Sequence, residues 1–409
     1  MFKRNYFVIM LTIILTIFLI SCSSNTQTVT QTNDAQITDT NGDEIPNDLP
    51  NDMKEMNGER PDAPLPDGAG GPPEKKGIQN NIEYKSVNHY NTSDTYDELV
   101  LSSTEKDESA VLVDSNAYVT LNDFEITRTN NKSTGGDNAS FYGVGAAALV
   151  TSGTLNLNEG IITTNANGGA GVFAYGQGIA NVNGTTIETK KGASGGIHVA
   201  GGGRLNATEL TVTTNGESSA PIRSDRGGGK MTVNSGSFTS NGIGSPAIYC
   251  TADITVNDAT LVANKSEGLC IEGLNTTTLN SVELTSNMPN QKQNDNTWSI
   301  IIYQSMSGDS KIGKGTLNMN YGTLTSKNGG LFYTTNTESE FNIRSVELIP
   351  SEKFDYLLRV TGNKNKRGWG KSGSNGAKCT FNAIEQEMQG KIIYDSISTL
   401  DLNLIDGTV

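Results

Sequence analysis

An asparagine recurs along most of this chain at a nearly constant interval, and this repeat constrains the fold more than any other feature. Each asparagine follows an apolar residue, and a second apolar residue often stands four positions later, as around Asn257. The commonest steps are 22 to 25 residues, and three steps of 36 or 40 mark insertions. The members of the series are Asn183, Asn206, Asn234, Asn257, Asn280, Asn320 and Asn342, with Asn122, Asn158 and Asn382 in the same frame.

A repeat of this length, with three strand-like segments and no helical pattern, is typical of a solenoid, because one turn cannot bury its apolar face until neighbours stack on it. We therefore predict an all-β fold over residues 81–409, a single-stranded parallel β-helix of about eleven coils, on the order of 50 Å long. Asparagine suits a bend between strands because it tolerates the left-handed conformation and its amide can bond along the axis. A β-propeller needs about 40 residues and four strands per blade, and a β-sandwich would not show one recurrent asparagine.

The composition excludes several classes of function. The chain of 409 residues carries 44 acidic and 30 basic residues, a net charge of −14, which makes nucleic acid an unfavourable partner. The two histidines and four scattered cysteines lack the spacing of a zinc site. There is no P-loop and no dinucleotide-binding motif. We predict neither a metal nor a cofactor for the folded region.

The first 21 residues form a secretory signal, with a basic start and an apolar run from Phe7 to Ile20. The sequence Leu19-Ile20-Ser21-Cys22 that ends it resembles the bacterial lipobox, in which the cysteine receives a diacylglycerol and becomes the new N-terminus. We predict that Cys22 is lipidated and that the membrane is a partner of the chain. The predicted location is the cell envelope, at the outer membrane or the cell surface.

Residues 22–80 contain most of the prolines and scattered acids, which predicts a lipid-anchored, disordered, acidic and Pro-rich tether. Within it, Asp39, Asn41 and Asp43 stand at alternate positions, as the oxygen ligands of calcium loops do. Glu44 stands where such a loop needs its glycine, and Pro50 replaces the closing carboxylate. A solvated tether is therefore the preferred interpretation, and calcium binding is the alternative.

Several short sequence segments in the folded region are specific enough to indicate a family. They are Ile222-Arg-Ser-Asp-Arg-Gly-Gly-Gly229, Tyr303-Gln-Ser-Met-Ser-Gly-Asp309, Arg367-Gly-Trp-Gly370, Gly373-Ser-Asn-Gly-Ala377 and Asp395-Ser-Ile-Ser-Thr-Leu400. They resemble a family of bacterial surface lipoproteins, often described as adhesin-like, that has a right-handed, pectin-lyase-like β-helix. The resemblance covers residues 85–409 and implies fold and surface location, but no catalytic residue. Members of this family extend beyond an Asp-Gly like that at 406–407, so we expect the native chain to continue past Val409.

In enzymes with this fold the working surface is the outward face of the first strand of each coil. Alternation predicts that Phe173, His198, Arg223, Tyr249, Cys270, Phe332 and Arg359 point outward. Trp298 belongs to the loop 287–299 and Trp369 to the cation-rich loop 362–378, both beside this face. Aromatic and cationic groups favour an anionic sugar ligand. The predicted binding residues for a polysaccharide or host surface glycan are Trp298, Trp369, Arg367, Lys371, Tyr249, Phe332 and Arg359; the alternative is that both tryptophans merely anchor their loops.

For catalysis the candidates are Arg223, Asp225 and Glu272. A lyase for acidic polysaccharides uses carboxylates with calcium and a basic side chain, and a glycoside hydrolase uses two facing carboxylates. Asp225 and Glu272 are predicted two coils apart, so a surface network of Arg223, Asp225 and Arg226 that joins neighbouring coils is the simpler interpretation. A non-catalytic binding protein is the first hypothesis, an enzyme acting on acidic polysaccharide the second, and a structural component of the envelope the third.

Cys250 and Cys270 are 20 residues apart, close to one coil, which raises the question of a disulfide between adjacent coils. Alternation places Cys250 and Cys379 inward and Cys270 outward. A bridge between Cys250 and Cys270 is therefore disfavoured, because their Cβ atoms would point to opposite faces of the strand layer.

Overall fold

The computed structural model describes residues 82–409 except residues 354 and 365, and it shows a parallel β-helix. Twenty-seven strands of the described chain pair in parallel with the strands one coil before and one coil after, forming three columns that we name A, B and C. Column A has twelve levels, so the predicted β-helix is confirmed with one coil more than expected. The predicted signal, Cys22, the tether and the calcium candidates Asp39, Asn41 and Asp43 lie outside the described residues.

The strands belong to the columns as follows. Column A contains β1 (Lys85–Tyr90), β4 (Glu108–Val113), the first parts of β7 (Ala148–Asn158) and β9 (Val172–Asn183), β11 (Ile197–Ala200), β13 (Ile222–Ser224), β15 (Ile248–Cys250), β17 (Leu269–Glu272), β19 (Trp298–Tyr303), β21 (Gly330–Thr335), β24 (Leu358–Val360) and β26 (Ile392–Tyr394). Column B contains β2 (Asp94–Asp97), β5 (Tyr118–Asn122), the second parts of β7 and β9, the first parts of β12 (Gly203–Thr214), β14 (Gly229–Ser240), β16 (Asp253–Ala263), β18 (Thr276–Ser286) and β20 (Gly315–Ser326), and β22 (Glu338–Arg344), β25 (Lys378–Ile384) and β27 (Thr399–Ile405). Column C contains β3 (Val100–Ser103), β6 (Glu125–Asn130), β8 (Ile161–Ala166), β10 (Thr186–Thr189), the second parts of β12, β14, β16, β18 and β20, and β23 (Glu347–Ile349). One helix of the described chain, α1 (Gly136–Tyr142), lies in the insertion between β6 and β7.

Period-two alternation decides which side chains fill the interior of the helix. In column B, Val233, Val256 and Leu279 pair in register and are fully buried, whereas the asparagine after each of them points outward. The inward residues of all three columns form one apolar cluster along the rod. Each coil thus covers the apolar row of its neighbour, as the solenoid argument requires.

Stacked asparagines line the outside of column B, but they form two ladders where the sequence pattern indicated one. In the first ladder, Asn257 donates to Asn234 at 2.8 Å and Asn280 donates to Asn257 at 2.8 Å. Asn183 and Asn320 extend the same register toward the two ends of the rod.

Asn206 and Asn342 lie two residues earlier in register and belong to the second ladder, so their predicted place in the first is wrong. Asn206 donates to Asn181 at 2.8 Å, and Asn342 donates to Asn318 at 2.9 Å. Side chains on one face of a strand recur every two residues. A shift of two residues in register therefore leaves the alternation of apolar residues and asparagines unchanged, and the sequence does not reveal it.

The bend after the ladder is made by the next residue and not by the asparagine itself. Glu159, Ser235, Asp258 and Ser281 have φ of 54°, 65°, 51° and 52°, and each follows a ladder asparagine. The predicted left-handed asparagine is therefore wrong, because the asparagines remain in the strand with their amides in the ladder. Their contribution is hydrogen bonding along the rod, and the turn is a property of the backbone that follows.

The three cysteines of the described chain, Cys250, Cys270 and Cys379, are free. Cys250 and Cys379 point inward and Cys270 outward, as alternation predicts. Cys250 pairs in register with Ile271, so no disulfide joins it to Cys270. Burial raises the pKa of Cys250 to about 11 and that of Cys379 to about 12, which keeps both thiols protonated.

Candidate functional site

The outward side chains of column A stack into one row along the rod. In register, the row runs Phe173, His198, Arg223, Tyr249, Cys270, Ile301, Tyr333 and Arg359. The outward orientation predicted for Phe332 is wrong, because Phe332 pairs with Ile300 and stacks inside the helix against Phe341, 5.6 Å away between ring centroids. Two adjacent apolar residues, Leu331 and Phe332, are both buried here, and alternation alone does not decide which of them faces the core.

Insertions cover this row at both ends. Near the N-terminal end, the loop that follows α1 packs on Leu149 and Phe173. Gly143 makes this approach possible, since it has φ of +77° and an added Cβ would lie 2.7 Å from Leu149 Cδ1. Near the other end, Met288 and Trp369 cover Ile301. The sequence did not indicate α1, because seven residues are too few for a helical period to be visible.

A buried polar cluster lies between the two covered ends. Asp225 Oδ2 is 2.9 Å from His198 Nε2 and accepts a hydrogen bond from Arg223 Nε at 2.7 Å. Arg223 also donates to Ser140 Oγ of α1 at 3.1 Å. Burial lowers the pKa of His198 to about 4, although Asp225 opposes the shift, so the imidazole is neutral at pH 7. Burial disfavours the charge of Asp225, but Arg223 and His198 hold the pKa of this carboxyl below its ordinary value.

A second buried carboxylate, Glu272, fastens the loop that follows β19. The hydroxyls of Tyr249 and Tyr303 each donate to Glu272 Oε2 at 3.0 Å, and Ser305 donates to Oε1. Ser310 adds a hydrogen bond to the backbone oxygen of Glu272 at 2.6 Å. Burial raises the pKa of Glu272, and the three hydroxyl donors partly oppose that shift.

The candidate catalytic residues Arg223, Asp225 and Glu272 do not converge on an open cleft. The column A register places Asp225 two coils before Glu272, about 10 Å away by strand spacing, with Tyr249 between them. Asp225 is 3% exposed and Glu272 is 1% exposed, and protein donors occupy both carboxylates. A glycoside hydrolase needs both carboxyls open to the substrate, and these two are buried.

The network expected from Arg223, Asp225 and Arg226 joins neighbouring coils through the contact of Asp225 with His198, and its two arginines also reach the insertions. Arg226 Nη2 donates to Asp309 Oδ1 at 2.7 Å, and its guanidinium lies 4.0 Å from the ring centroid of Phe141. Arg223 reaches the same helix through Ser140. The two arginines therefore attach α1 and the loop around Asp309 to the rod.

The two tryptophans pack against each other on the outward face. Their ring centroids are 6.2 Å apart, Tyr303 lies 4.5 Å from Trp369, and Tyr333 lies 5.2 Å from Trp298. Trp298 begins β19 and is 2% exposed, while Trp369 is 7% exposed. Their faces are not available to stack on a sugar ring, and these contacts match the alternative interpretation that the tryptophans anchor their loops.

A cleft of about 100 Å³ remains open beside this cluster, and we name it the Trp369 cleft. Its lining residues are Gly244, Pro246, Tyr249, Lys265, Ser266, Glu267, Cys270, Met288, Pro289, Gln291, Asn294, Tyr303, Arg367 and Trp369. The side chains of Cys270, Met288 and Trp369 are buried, and those of Lys265 and Arg367 are exposed. The guanidinium of Arg367 lies 5.3 Å from the Trp369 ring centroid. Within the described part of the chain, neither Arg367 nor Lys265 forms an ion pair.

The cleft brings together three of the seven predicted binding residues, Tyr249, Arg367 and Trp369. Lys371 is exposed in the same loop as Trp369 without lining the cleft. Arg359 lies one coil beyond Tyr333 and donates to Thr361 Oγ1 at 3.2 Å. Trp298 lies behind Trp369, and Phe332 is in the core.

Sequence reasoning missed Glu267, the one carboxylate that lines the cleft. Its Oε1 accepts a hydrogen bond from the thiol of Cys270 at 2.9 Å, and its Oε2 accepts one from Ser266 at 2.6 Å. Burial, followed by the charge of Glu267, raises the pKa of Cys270 well above its ordinary value, so this thiol remains a donor. No pattern marks Glu267, because it precedes β17 and takes no part in the alternation of that strand.

The fold and the site define a parallel β-helix whose outward column A row is partly covered by insertions, with the Trp369 cleft beside them. Comparison with protein-family models, with curated proteins and with solved structures gave no match. In the described residues, no group of three or more His, Cys, Asp or Glu side chains is arranged to hold a metal ion. Among the residues that the structure describes, no helix is long and apolar enough to cross a membrane.

Proposed function

We propose that this protein is a lipid-anchored rod of the cell envelope that binds glycans through the Trp369 cleft. The lipobox-like sequence before Cys22 supports the anchor, and the Pro-rich composition of residues 22–80 supports a tether that holds the rod away from the membrane. A parallel β-helix is compatible with adhesins and with proteins that act on polysaccharides. The proposed ligand is a polysaccharide of the environment or a glycan on a host surface.

The observation that carries the proposal is the composition of the cleft. Two cations without acidic partners in the described chain, Lys265 and Arg367, stand at an opening that also presents the side-chain amides of Gln291 and Asn294. The protein as a whole has a net charge of −14, so cations exposed together favour a specific ligand over general attraction to anions. Sugars are bound by a few convergent polar groups beside apolar surface, which is the arrangement of this cleft.

An enzyme acting on acidic polysaccharide is the second candidate, and the pair His198–Asp225 favours it. A carboxylate beside an imidazole is the arrangement of a general base, and Asp225 Oδ2 lies 2.9 Å from His198 Nε2, although neither ring nitrogen makes a well-aligned hydrogen bond among the described residues. His198 is 1% exposed, however, so substrate could reach it only after the insertions had moved. Binding without cleavage therefore ranks first.

One assay tests both candidates. The detergent-solubilised full-length protein is incubated with a panel of neutral, acidic and N-acetylated polysaccharides, and retention and product masses are recorded together. We expect retention without new products, and we expect Arg367→Ala to weaken it while Lys353→Ala, an exposed lysine outside the cleft, does not. Shortened or unsaturated oligosaccharides would favour the enzyme. Absence of retention on every polysaccharide would favour a structural component of the envelope.

A further inference from the structure

The size of the Trp369 cleft limits what part of a glycan can enter it. A volume of about 100 Å³ is a third or less of the roughly 300–1,000 Å³ that is typical of pockets enclosing a small molecule. Such a volume suits a substituent of a few heavy atoms better than a whole sugar ring. The cleft is therefore suited to one substituent of a sugar whose ring remains outside.

The lining of the cleft presents three kinds of surface to such a substituent. Met288, Cys270 and Trp369 form an apolar side, with exposed fractions of 4%, 5% and 7%. The carboxylate of Glu267 accepts one hydrogen bond from Cys270 and one from Ser266, and each of its oxygens can accept one more. Arg367 and Gln291 provide hydrogen-bond donors.

We propose that the Trp369 cleft binds the acetamido group of an N-acetylated sugar, an inference that rests on the glycan-binding function proposed above. The methyl group packs on Met288 and Trp369, the amide N–H donates to Glu267, and the carbonyl oxygen accepts from Arg367 or Gln291. The acetamido group is the common sugar substituent that combines a methyl, a donor and an acceptor within four heavy atoms.

Other substituents match the lining less well. The carboxylate of a uronic acid could pair with Arg367 or Lys265, but it would bring a second negative charge into the cleft beside Glu267. The ammonium group of a free amino sugar would face Arg367 and Lys265. A hydroxyl group would leave the apolar side of the cleft without a partner. Each of these ligands conflicts with one surface that the acetamido group satisfies.

The first test uses the unmodified protein, so that it does not depend on the folding of a variant. Binding of the detergent-solubilised chain is measured to N-acetylglucosamine oligosaccharides, to the same oligosaccharides after chemical deacetylation, to glucose oligosaccharides and to oligouronates. We expect the acetylated series to bind at least about tenfold more tightly than the others, as the combined loss of a hydrogen bond and a buried methyl predicts. Equal binding of the acetylated and deacetylated series, or a preference for oligouronates, would overturn the acetamido inference while leaving glycan binding in place. Absence of binding to all four series would overturn both.

The second test removes the charge of Glu267 and keeps its shape. Glu267→Gln should weaken binding of the acetylated oligosaccharides about fivefold, because a charged acceptor forms roughly twice as strong a hydrogen bond as a neutral one. Its control is Glu283→Gln, an exposed glutamate on column C. Thermal unfolding of both variants verifies that they fold. Unchanged affinity in a folded Glu267→Gln protein would contradict the assigned contact with the amide N–H.

Discussion

Arg226 Nη2 donates a hydrogen bond to Asp309 Oδ1 at 2.7 Å, although the two residues are 83 positions apart. The same guanidinium lies over the ring of Phe141 at 4.0 Å from its centroid. One side chain therefore holds two insertions, that of α1 and that of the loop after β19, over the outward row of column A. The pair is partly exposed, with 34% of the Arg226 side chain and 18% of the Asp309 side chain accessible, so its contribution to the free energy of unfolding is moderate.

Replacing Arg226 by Ala should loosen both insertions while the rod remains folded. We expect a loss of about 1–2 kcal/mol, from one partly screened ion pair and one cation–π contact. Amide hydrogen exchange should accelerate at residues 136–142 and 304–314 and stay slow in the column B strands. Lys230→Ala is the matched control, because the pair of Lys230 with Asp253 is exposed and 3.9 Å long. Equal exchange in both variants would contradict the role of Arg226.

Burial of neutral His198 should make the protein less stable as the pH falls. Its pKa is about 4 in the folded protein against an ordinary 6.5, so between pH 6.5 and pH 4 the unfolded chain binds more protons than the folded one. The free energy of unfolding should therefore decrease across this window, by up to about 3 kcal/mol from this residue alone. Below pH 4 the His198 contribution should change no further.

The contribution of His198 can be separated from that of its neighbours by substitution. Urea unfolding is measured from pH 7 to pH 4 for the unmodified protein and for His198→Asn. The contribution of Glu272 to the free energy of unfolding has the opposite pH dependence. Because the pKa of Glu272 is raised in the folded protein, this contribution increases as the pH falls toward the ordinary pKa of the group. Glu272 is present in both proteins, so its effect is shared. The unmodified protein should show the larger decrease. Parallel pH profiles for the two proteins would show that His198 is not buried in its neutral form.

The sequence predicts the local part of the site because alternation in a strand is a local property. His198, Arg223, Tyr249 and Cys270 point outward as period two requires. The same local reasoning cannot distinguish registers that differ by two residues, which is why Asn206 was placed in the wrong ladder.

Contacts between insertions could not be predicted from the sequence, for a different reason. The link from Arg226 to Asp309 and the packing of Trp298 on Trp369 depend on where loops of irregular conformation fold back onto the rod. Composition marked the loop of Trp369 as unusual, with its cations and glycines, but left open whether the tryptophan anchors its loop or faces a ligand. Burial of such a residue is decided by tertiary packing, and not by propensity.

Thiol titration should find three free thiols in the folded region. In the Cys22→Ser chain, unfolded in urea, Cys250, Cys270 and Cys379 should all react. In the native protein they should react slowly, because burial excludes the reagent and raises the pKa of each thiol. Ser237→Cys adds an exposed thiol on column C and should react rapidly in the native state. A single reactive thiol after unfolding would indicate a disulfide and would contradict the structure.

Each asparagine of the ladder should stabilise the rod in proportion to the number of hydrogen bonds that its side-chain amide makes. Asn257 donates to Asn234 and accepts from Asn280, both at 2.8 Å, whereas Asn234 takes part in the ladder only as the acceptor from Asn257. At about 0.5–1 kcal/mol for each partly exposed bond, Asn257→Ala should cost about 1–2 kcal/mol and Asn234→Ala about half as much.

Urea unfolding at constant m-value measures both losses, and Ser237→Ala is the control, because Ser237 is exposed on a neighbouring column. The comparison between the two asparagines is decisive because they occupy equivalent strand positions, each followed by a residue with positive φ, Asp258 or Ser235. Differences in strand propensity therefore cancel between them. Equal losses at the two positions would mean that the asparagines act through the bend that follows them, whereas a twofold difference means that they act through the amide stack.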